Sequence, residues 1–376
     1  MREDLEASMW LAHHHAFGQW VGSVVDTIAR SFHHEEGVLL LGRRDIAGLI
    51  GPADWVAAVE AGFRAAAEGR AAAPLPMEIG GSGGAFHAKG AALQLDRHYV
   101  APQALPFRRP GRAALQLDRH YVALKLNGNF PGNADRGLPT IQGAILLCDG
   151  ETGALLAIMD SIEVTLRRTA AATALAARHL ARPDSRTLLV CGCGAQGRAQ
   201  LRALREVLPL AQCLAWDRDF GRAQQYGREE GAEAVADLPK GDAADVVVTC
   251  TTATEPFLGP DQVGPGTFVA AVGADSSAKN EVKPALFEAA LVVADVRAQC
   301  AVMGDLRHAL AAGVDPGCVH AELAELVSGA KPGRTSPEQI TLFDSTGTAL
   351  QDVASAAVIY ERALARGGMR CIALAA

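Results

Sequence analysis

The sequence lacks three features that would place the protein on a membrane or on nucleic acid. No apolar run is long enough to span a bilayer, although 49% of the 376 residues are hydrophobic. Positive charge is not in excess, because the formal net charge is −7. The first six residues, MREDLE, are too acidic for a signal peptide, and no apolar core segment follows them. We therefore expect a soluble globular protein with neither a nucleic-acid nor a membrane partner.

The sequence also lacks a pattern of metal ligands. Its eight cysteines are scattered, and Cys191 with Cys193 has no second pair to complete a zinc site. The histidines at 13–15 and 33–34 are adjacent in sequence, so they do not share one helix face. We predict no metal site and a cytoplasmic protein with reduced cysteines.

A glycine-rich turn in the middle of the chain is the most informative feature that is present. Residues 188–197 read LLVCGCGAQG, an apolar strand that runs into a Gly-x-Gly-x-x-Gly turn, and a helical pattern follows. Gly192 suits the tight turn, Gly194 lets the backbone approach a pyrophosphate, and Gly197 lets the helix pack closely on the strand. Free N–H groups at the helix start, including those of Ala195 and Gln196, suit the phosphates. The pattern predicts a dinucleotide-binding site.

The residues after the next strand bear on which dinucleotide is bound. Asp217 lies twenty residues after Gly197, where an acid accepts hydrogen bonds from the adenosine ribose. Its charge disfavours a 2′-phosphate, whereas Arg218 beside it would accommodate one. We predict NAD and keep NADP as the alternative.

The order of predicted elements indicates an α/β fold with two parts. After residue 187, strands at 187–191, 212–216, 245–250, 267–273 and 291–294 alternate with helices, which predicts a Rossmann-like, doubly wound parallel sheet. Before it, strands at 38–41, 141–148 and 155–159, helices at 52–67 and 165–180, and a glycine turn at 80–84 predict a mixed α+β domain. A strand at 340–343 and a last helix at 349–366 follow the parallel sheet. Residues 1–36 look like an N-terminal extension.

A tandem duplication interrupts the first half. The eleven residues AALQLDRHYVA at 91–101 recur at 113–123, so residues 91–112 form a duplicated insert. A single extra copy cannot build a repeat architecture. We expect one copy to occupy the native strand, and the other copy, with the linker 102–112, to form a loop or hairpin extension.

Several separate segments make the chain resemble the ornithine cyclodeaminase/μ-crystallin family from about Val38 onwards. Besides the glycine turn, they are LKLNGNFPGN (124–133), GLPT (137–140), TLRRTA (165–170), AVGAD (271–275) and LFDSTG (342–347). The resemblance implies a Rossmann domain, here 166–344, inserted into a substrate-binding and dimerisation domain made of 37–165 and 345–376. It also implies a homodimer and a small α-amino or α-imino acid as substrate.

The same resemblance implies roles for individual residues. Lys125 and Arg168 would hold the substrate carboxylate, although the residues alone leave Arg167 an equal candidate. Asp275, after a strand of the parallel sheet, would be the general acid/base. It also implies that Ser345, Thr346 and Gly347 lie near the nicotinamide. Residues 249–252, which include Thr251, would line the cofactor from the turn after a strand, and Thr169 is a further candidate for cofactor binding.

The chain departs from the family pattern where the cyclodeaminases use a glutamate to receive the distal ammonium of the substrate. The corresponding segment reads FHAKG, so His87 and Lys89 would contact the substrate side chain instead. A basic carboxylate ligand expected near 76–79 is replaced by PMEI, and Lys89 would either supply that charge or hold a second carboxylate. A solvent-exposed Lys89 is the alternative.

Three functions are compatible with these residues. The first is an NAD(P)-dependent imino-acid (ketimine) reductase or amino-acid dehydrogenase, which the cation at Lys89 favours over a diamine substrate. The second is an ornithine or lysine cyclodeaminase, which releases ammonia with ring closure. The third is a non-catalytic, μ-crystallin-like protein that binds cofactor and ligand.

Overall fold

The computed structural model describes residues 37–95 and 119–374. The strands are β1 Val38–Leu41, β2 Ala71–Ala72, β3 Met77–Gly81, β4 Gly84–Leu95, β5 Arg119–Asn129, β6 Ile141–Asp149, β7 Leu155–Asp160, β8 Thr187–Cys191, β9 Gln212–Trp216, β10 Glu233–Ala234, β11 Val246–Thr249, β12 Phe268–Ala271, β13 Leu291–Ala294, β14 Val319–Glu322, β15 Thr341–Asp344 and β16 Cys371–Ile372. The α-helices are α1 Arg43–Ala47, α2 Pro52–Ala67, α3 Ser161–Leu180, α4 Ala195–Arg205, α5 Phe220–Glu230, α6 Pro284–Ala289, α7 Arg297–Met303, α8 Asp305–Ala311, α9 Leu323–Val327 and α10 Ala349–Arg366.

Strands β8 to β15 form a parallel sheet in the order β10-β9-β8-β11-β12-β15-β13-β14. Alternate residues of β8 belong to two different cores, Leu188 and Val190 to one and Leu189 and Cys191 to the other. Strands buried on both faces read as continuous apolar runs, which is why β11 reads VVVT. The strand order reverses between β8 and β11, and a crevice opens there at the carboxyl ends of the strands. The predicted doubly wound sheet is confirmed.

The other eight strands of the described residues form a mixed sheet in the order β16-β1-β7-β6-β5-β4-β2, with β3 paired to β4. Its pairs are antiparallel except for β1 with β7. Helix α10 packs on β4, β5 and α2, and β16 pairs with β1, so the end of the chain returns to the first sheet. The predicted second, mixed domain is confirmed as a fold class, and the proposed domain boundaries stay a prediction.

Helix α3 joins the two sheets. It begins at Ser161, four residues before the predicted start, because the Asp160 side chain accepts a hydrogen bond from the Glu163 N–H at 2.7 Å and caps it. The helix contacts β6 of the mixed sheet, and α4 and β15 of the parallel-sheet half. A residue on α3 can therefore take part in a site between the two halves.

The expectation that only one copy of the duplication occupies the strand position is wrong, because both copies contribute residues to the mixed sheet. The first copy contributes Ala91 to Leu95 to β4, and the second contributes Arg119 to Ala123 to the neighbouring strand β5. The two strands pair with Ala91 opposite Ala123 and Leu93 opposite Tyr121. Alternation buries Leu93 and Tyr121 on the same face, so a half of each copy fits the core. The linker 102–112 lies outside the described residues, as does the extension 1–36.

Two further expectations concern cysteines and membranes. All eight cysteines lie in the described parts of the chain and none forms a disulfide. Among helices in those same parts, none has the length and apolar character needed to cross a membrane.

Candidate functional site

The glycine turn has the geometry of a phosphate-binding loop. Gly192 has a φ of +106°, and a β-carbon there would lie 2.7 Å from the Cys250 carbonyl oxygen. A β-carbon at Gly197 would lie 2.3 Å from the Gly192 carbonyl oxygen, so the helix and the turn touch. Gly194 caps α4, and a β-carbon there would meet nothing within 4 Å. The turn thus leaves open space in front of the first N–H groups of the helix, which begins at Ala195.

A cavity of about 720 Å³ lies next to this turn, at the point where the strand order reverses. Asp217 lines it and is held in place, because its Oδ2 accepts from Cys193 N at 2.9 Å and its Oδ1 accepts from Asp219 N at 3.0 Å. Arg218 and Arg222 line the same cavity. The open glycine turn, the fixed acid and the volume fit a dinucleotide. In the described residues, no group of histidine, cysteine or acidic side chains could hold a metal ion.

Other residues predicted to bind the cofactor border this cavity or lie on the elements around it. Gln196, in the first turn of α4, donates to the Leu166 carbonyl at 3.5 Å, which ties α4 to α3. Thr169 is half-buried on α3. Thr251 lines the cavity, with its backbone N–H and its hydroxyl both bonded to Glu281.

The loop 345–347 presents its backbone rather than its side chains. The Ser345 hydroxyl donates to Asp295 Oδ2 at 2.9 Å, and Gln299 Nε2 donates to the Thr346 hydroxyl at 2.6 Å. The Gly347 N–H donates to the same Asp295 oxygen at 2.7 Å. These three residues follow β15 at the carboxyl edge of the parallel sheet, and the hydroxyls of Ser345 and Thr346 are bonded to Asp295 and Gln299 within the protein.

Three cationic side chains form a cluster, and two of them, Lys89 and Arg168, contact this loop. Lys125 on β5 and Lys89 on β4 are direct neighbours across the strands, and Arg168 comes from α3. All three are buried. Lys89 Nζ donates to the carbonyl oxygens of Thr346 at 3.2 Å and Gly347 at 2.7 Å, so a solvent-exposed Lys89 is ruled out. The structure brings together the two residues predicted to hold a carboxylate and adds Lys89 to them.

A carboxylate that sequence reasoning missed sits among these cations. Asp352, in the first turn of α10, is 2.6 Å from Lys125 Nζ through Oδ2 and accepts from Arg168 Nε through Oδ1 at 2.8 Å. Gln351 Oε1 accepts from Arg168 Nη1 at 2.6 Å. Arg167 pairs instead with Glu163 of its own helix at 2.8 Å. The geometry therefore selects Arg168 over Arg167 as the arginine of the cluster.

Burial and charge shift the pKa values in this cluster. Burial lowers the pKa of Lys125 to about 7, with Asp352 opposing the shift and Arg168 and Lys89 adding to it. Burial and the charge of Arg168 likewise lower the pKa of Lys89. Burial would raise the pKa of Asp352, but Arg168 and Lys125 outweigh it and hold that pKa below its usual range. Asp352 is thus ionised at neutral pH, and Lys125 is close to its titration point.

His87 lies on the same face of β4 as Lys89, two residues away. Its Nδ1 is 3.7 Å from Glu78 Oε2, on the paired strand β3. The segment where the family pattern expects a basic ligand therefore supplies an acid that faces His87.

Asp275 follows β12, and the charge of Lys89 is among those that lower the pKa of its carboxyl group. Lys279 Nζ is 2.6 Å from its Oδ1, and the Asp275 side chain is about half exposed, at 54%. Desolvation would raise the pKa of Asp275, but the ammonium of Lys279 outweighs it and the pKa lies below its usual value. The predicted acid/base is therefore a carboxylate at neutral pH.

A second missed acid, Glu281, holds the turns around the site. Its carboxylate is fully buried and accepts four hydrogen bonds, from the Thr249 hydroxyl, the Thr251 hydroxyl, Thr251 N and Gly273 N, at 2.6–2.8 Å. Burial raises the pKa of Glu281, against these hydrogen bonds. One side chain thus joins the loop after β11, which lines the cavity, to the turn that leads to Asp275. A lone glutamate in the segment NEVKP (280–284) gives no sequence signal for this.

Comparisons with known proteins agree with this geometry. The sequence model of the ornithine cyclodeaminase/mu-crystallin family matches residues 113–367. An alanine dehydrogenase of Archaeoglobus fulgidus is 34% identical over 333 residues, covering 87% of this chain and 96% of the relative. An iminosuccinate reductase of Paracoccus denitrificans is 34% identical over 249 residues, covering 65% and 78%.

Solved structures are similar over most of the chain. An archaeal alanine dehydrogenase dimer with bound NAD superposes with a TM-score of 0.78 at 34% identity, covering 90% of this chain and 99% of that one. The Δ1-pyrroline-2-carboxylate reductase of Thermococcus litoralis, in complex with NADH and L-proline, gives 0.79 at 30% identity, covering 89% and 100%. With the glycine turn, the buried cations and these matches together, the chain belongs to the ornithine cyclodeaminase/mu-crystallin family.

Proposed function

We propose that the protein is an NAD-dependent imino-acid reductase or amino-acid dehydrogenase, which transfers hydride between nicotinamide and the Cα of an α-imino or α-amino acid. The observation that carries the proposal is the cluster of Lys89, Lys125 and Arg168, in which Lys89 and Arg168 contact the loop 345–347 at the carboxyl edge of the dinucleotide-binding sheet. A β-carbon on Gly347 would lie 2.4 Å from Arg168 Nη1, so the guanidinium touches that loop.

The cations are proposed to bind the substrate carboxylate. Arg168 donates through Nε to Asp352 and through Nη1 to Gln351, which leaves its Nη2 donors for a ligand. Lys125 pairs with Asp352 and donates to the Thr165 hydroxyl at 3.4 Å, which leaves one N–H donor for a ligand. A guanidinium and an ammonium side by side suit a carboxylate. Holding the carboxylate fixes the position of the adjacent Cα, where hydride transfer takes place.

The cavity beside the glycine turn is the proposed cofactor site. NAD, when bound, supplies the hydride acceptor or donor at nicotinamide C4. The first N–H groups of α4 would meet the pyrophosphate beside Gly194, and Asp217 would accept from the ribose hydroxyls. Arg218 and Arg222 line the same cavity, so NADP is the alternative to test.

Asp275 is the proposed proton-transfer group at the substrate nitrogen. As an ionised carboxylate, it can accept a proton from a substrate ammonium in the oxidative direction. In the reductive direction, hydride adds to the carbon of the protonated imine, and Asp275 returns its proton to the nitrogen of the resulting amine. Lys279 at 2.6 Å keeps the carboxylate ionised before the proton is transferred.

Lys89 and His87 are the proposed contacts for the substrate side chain. A buried cation beside the carboxylate site disfavours a second ammonium and favours a short or acidic side chain. This argues against ornithine and lysine as substrates. Oxaloacetate with ammonia, which yields the imine of a dicarboxylate, is the informative acidic test.

The test is a spectrophotometric screen of the purified protein with NADH and with NADPH. Pyruvate, glyoxylate and oxaloacetate are paired with ammonia or methylamine, pyrroline and piperideine carboxylates are added, and ammonia release from ornithine and lysine is followed in parallel. Net oxidation of the reduced cofactor supports a reductase. Ammonia release without net cofactor change would indicate a cyclodeaminase, and no reaction with any compound would favour a binding protein.

We also propose that the protein is a homodimer that buries the outer face of the mixed sheet. Apolar side chains on four adjacent strands there are 36–48% exposed, namely Ile79, Phe86, Val122, Leu124, Leu126 and Leu146. Leu124 pairs with Leu146, and Ile79 with Phe86, so the side chains form one continuous patch. A patch of this kind is typical of a protein interface, and the similar archaeal alanine dehydrogenase is a dimer.

A further inference from the structure

The proposed binding of the substrate carboxylate gives Asp352 no role so far. Asp352 nevertheless contacts two of the three buried cations, Lys125 and Arg168. Its carboxylate is fully buried, 2.6 Å from Lys125 Nζ and 2.8 Å from Arg168 Nε. Each of its oxygens faces a different cation, which comes from a different element, β5 or α3. The contact is therefore a buried bridge between two secondary-structure elements.

The helix that carries Asp352 is held firmly in place. The Thr348 hydroxyl caps α10 by accepting from Leu350 N at 3.0 Å, and residues 349–360 of the helix are buried without interruption. The helix packs on α2, β4 and β5. Since Asp352 lies in the first turn, where the helix dipole also favours a negative charge, it is a fixed counter-ion and not a movable gate.

The charges around Lys125 explain why a fixed counter-ion is needed. Lys89 is the direct cross-strand neighbour of Lys125, and Arg168 lies beside it. Both cations lower the pKa of Lys125, whereas Asp352 raises it. Lys89 in turn is influenced by Asp275 and Asp295. Buried cations without a partner are strongly unfavourable, so removing Asp352 would discharge Lys125 or let it turn away.

We propose that Asp352 is a positioning residue, which keeps the Lys125 ammonium charged and aims it, together with the Arg168 guanidinium, at the carboxylate of the substrate. The inference rests on the proposed function for the identity of the ligand. Gln351 completes the arrangement by accepting from Arg168 Nη1 at 2.6 Å, so the guanidinium is fixed by two neighbouring residues of one helix.

The test compares Asp352→Asn with Glu361→Gln, a matched loss of charge on the same helix. Glu361 pairs with Arg119 at 2.7 Å, outside the cation cluster, so its variant controls for lost stability. The first readout needs no substrate: the chain has only six lysines, and ¹³Cε-lysine NMR can follow each titration, with Lys125→Arg assigning the signal. We expect Asp352→Asn, and not Glu361→Gln, to move the Lys125 titration to lower pH by about one unit or more.

The second readout is the inhibition constant of propionate, a carboxylate without an amino group, against the substrate found in the screen. At about pH 8 we expect Asp352→Asn to raise this constant about tenfold or more, with NADH affinity within about twofold of the parent. The difference in inhibition constant between Asp352→Asn and the parent protein should become smaller near pH 6, where Lys125 regains its proton. Asp352→Glu, which keeps the charge but displaces it by one methylene, should retain the titration and still weaken inhibition.

Each outcome decides between the two proposals. An unchanged Lys125 titration in Asp352→Asn, or full propionate affinity in both Asp352 variants, overturns the role of Asp352. If Asp352→Asn does not fold, the Asp352→Glu result alone decides the positioning claim. A shifted titration with no carboxylate inhibition in the parent protein would leave Asp352 as the counter-ion of Lys125 and refute the carboxylate site.

Discussion

If Lys125 binds the substrate carboxylate as proposed, its ammonium sets a pH limit on that binding, which can be measured in the unaltered protein. Burial lowers the pKa of Lys125 to about 7. The charged form of Lys125 is present below pH 7 and is lost as the pH rises through that value. Propionate stays ionised throughout this range, so its inhibition constant reports the protein alone.

The magnitude follows from the fraction of charged Lys125. Two units above its pKa, about 1% of the lysine carries a proton, so at about pH 9 the inhibition constant should be up to 100-fold above its value near pH 6. This corresponds to about 3 kcal/mol of binding free energy. The slope above pH 7 should approach tenfold per unit until the contact with Arg168 alone sets a plateau.

Lys125→Arg supplies the control, because a guanidinium does not lose its proton in this range. The variant should bind propionate with a constant that varies little between pH 6 and pH 9. An inhibition constant in the parent protein that changes less than about threefold over that range would refute the reasoning, as would a pH limit that persists in Lys125→Arg.

Three further predictions concern the cofactor turn, the buried glutamate and the apolar face. Gly194→Ala should leave the melting temperature unchanged, because its β-carbon meets no protein atom within 4 Å. The same variant should weaken NADH binding about tenfold or more in a fluorescence titration. Equal affinity would exclude a close approach of the cofactor to this residue. Glu281→Gln places an N–H₂ group against N–H and O–H donors, including Gly273 N. The variant should lower the free energy of unfolding, measured by denaturant titration, by about 2–3 kcal/mol. An unchanged midpoint would contradict the structural role of Glu281. Leu124→Asp, opposite Leu146, should convert the proposed dimer to a monomer in light scattering with no loss of helix content, and a monomeric parent protein would refute the interface outright.

The cofactor part of the site was predictable because all its determinants are close in sequence. The apolar strand, the three glycines and Asp217 lie within thirty residues, and each is required by backbone geometry that any dinucleotide turn shares. The helix limits 52–67 and 349–366 and the strand 187–191 were also readable, because apolar periodicity and local caps decide them. Lys125, Arg168 and Asp275 came from the family segments and not from periodicity.

The catalytic cleft depended on residues that are far apart in the chain. Lys89, Lys125, Arg168 and Asp352 span more than 260 positions, and nothing local marks Asp352 as more than a helix-start acid. From the sequence alone, the side chain of Lys89 could equally have been exposed to solvent. The pairing of β4 with β5 places it beside Lys125.

The duplication shows the same division between local and tertiary information. The sequence by itself determined that either copy can form a strand, because both have the same apolar alternation. Only the tertiary structure decided that a half of each copy lies in neighbouring strands, because the pairing of Leu93 with Tyr121 depends on what the core can bury. The sequence thus determined the cofactor turn and the fold class, because both depend on local geometry. Only the tertiary structure decided the charged cleft, because its ions come from distant elements and are paired where the fold buries them together.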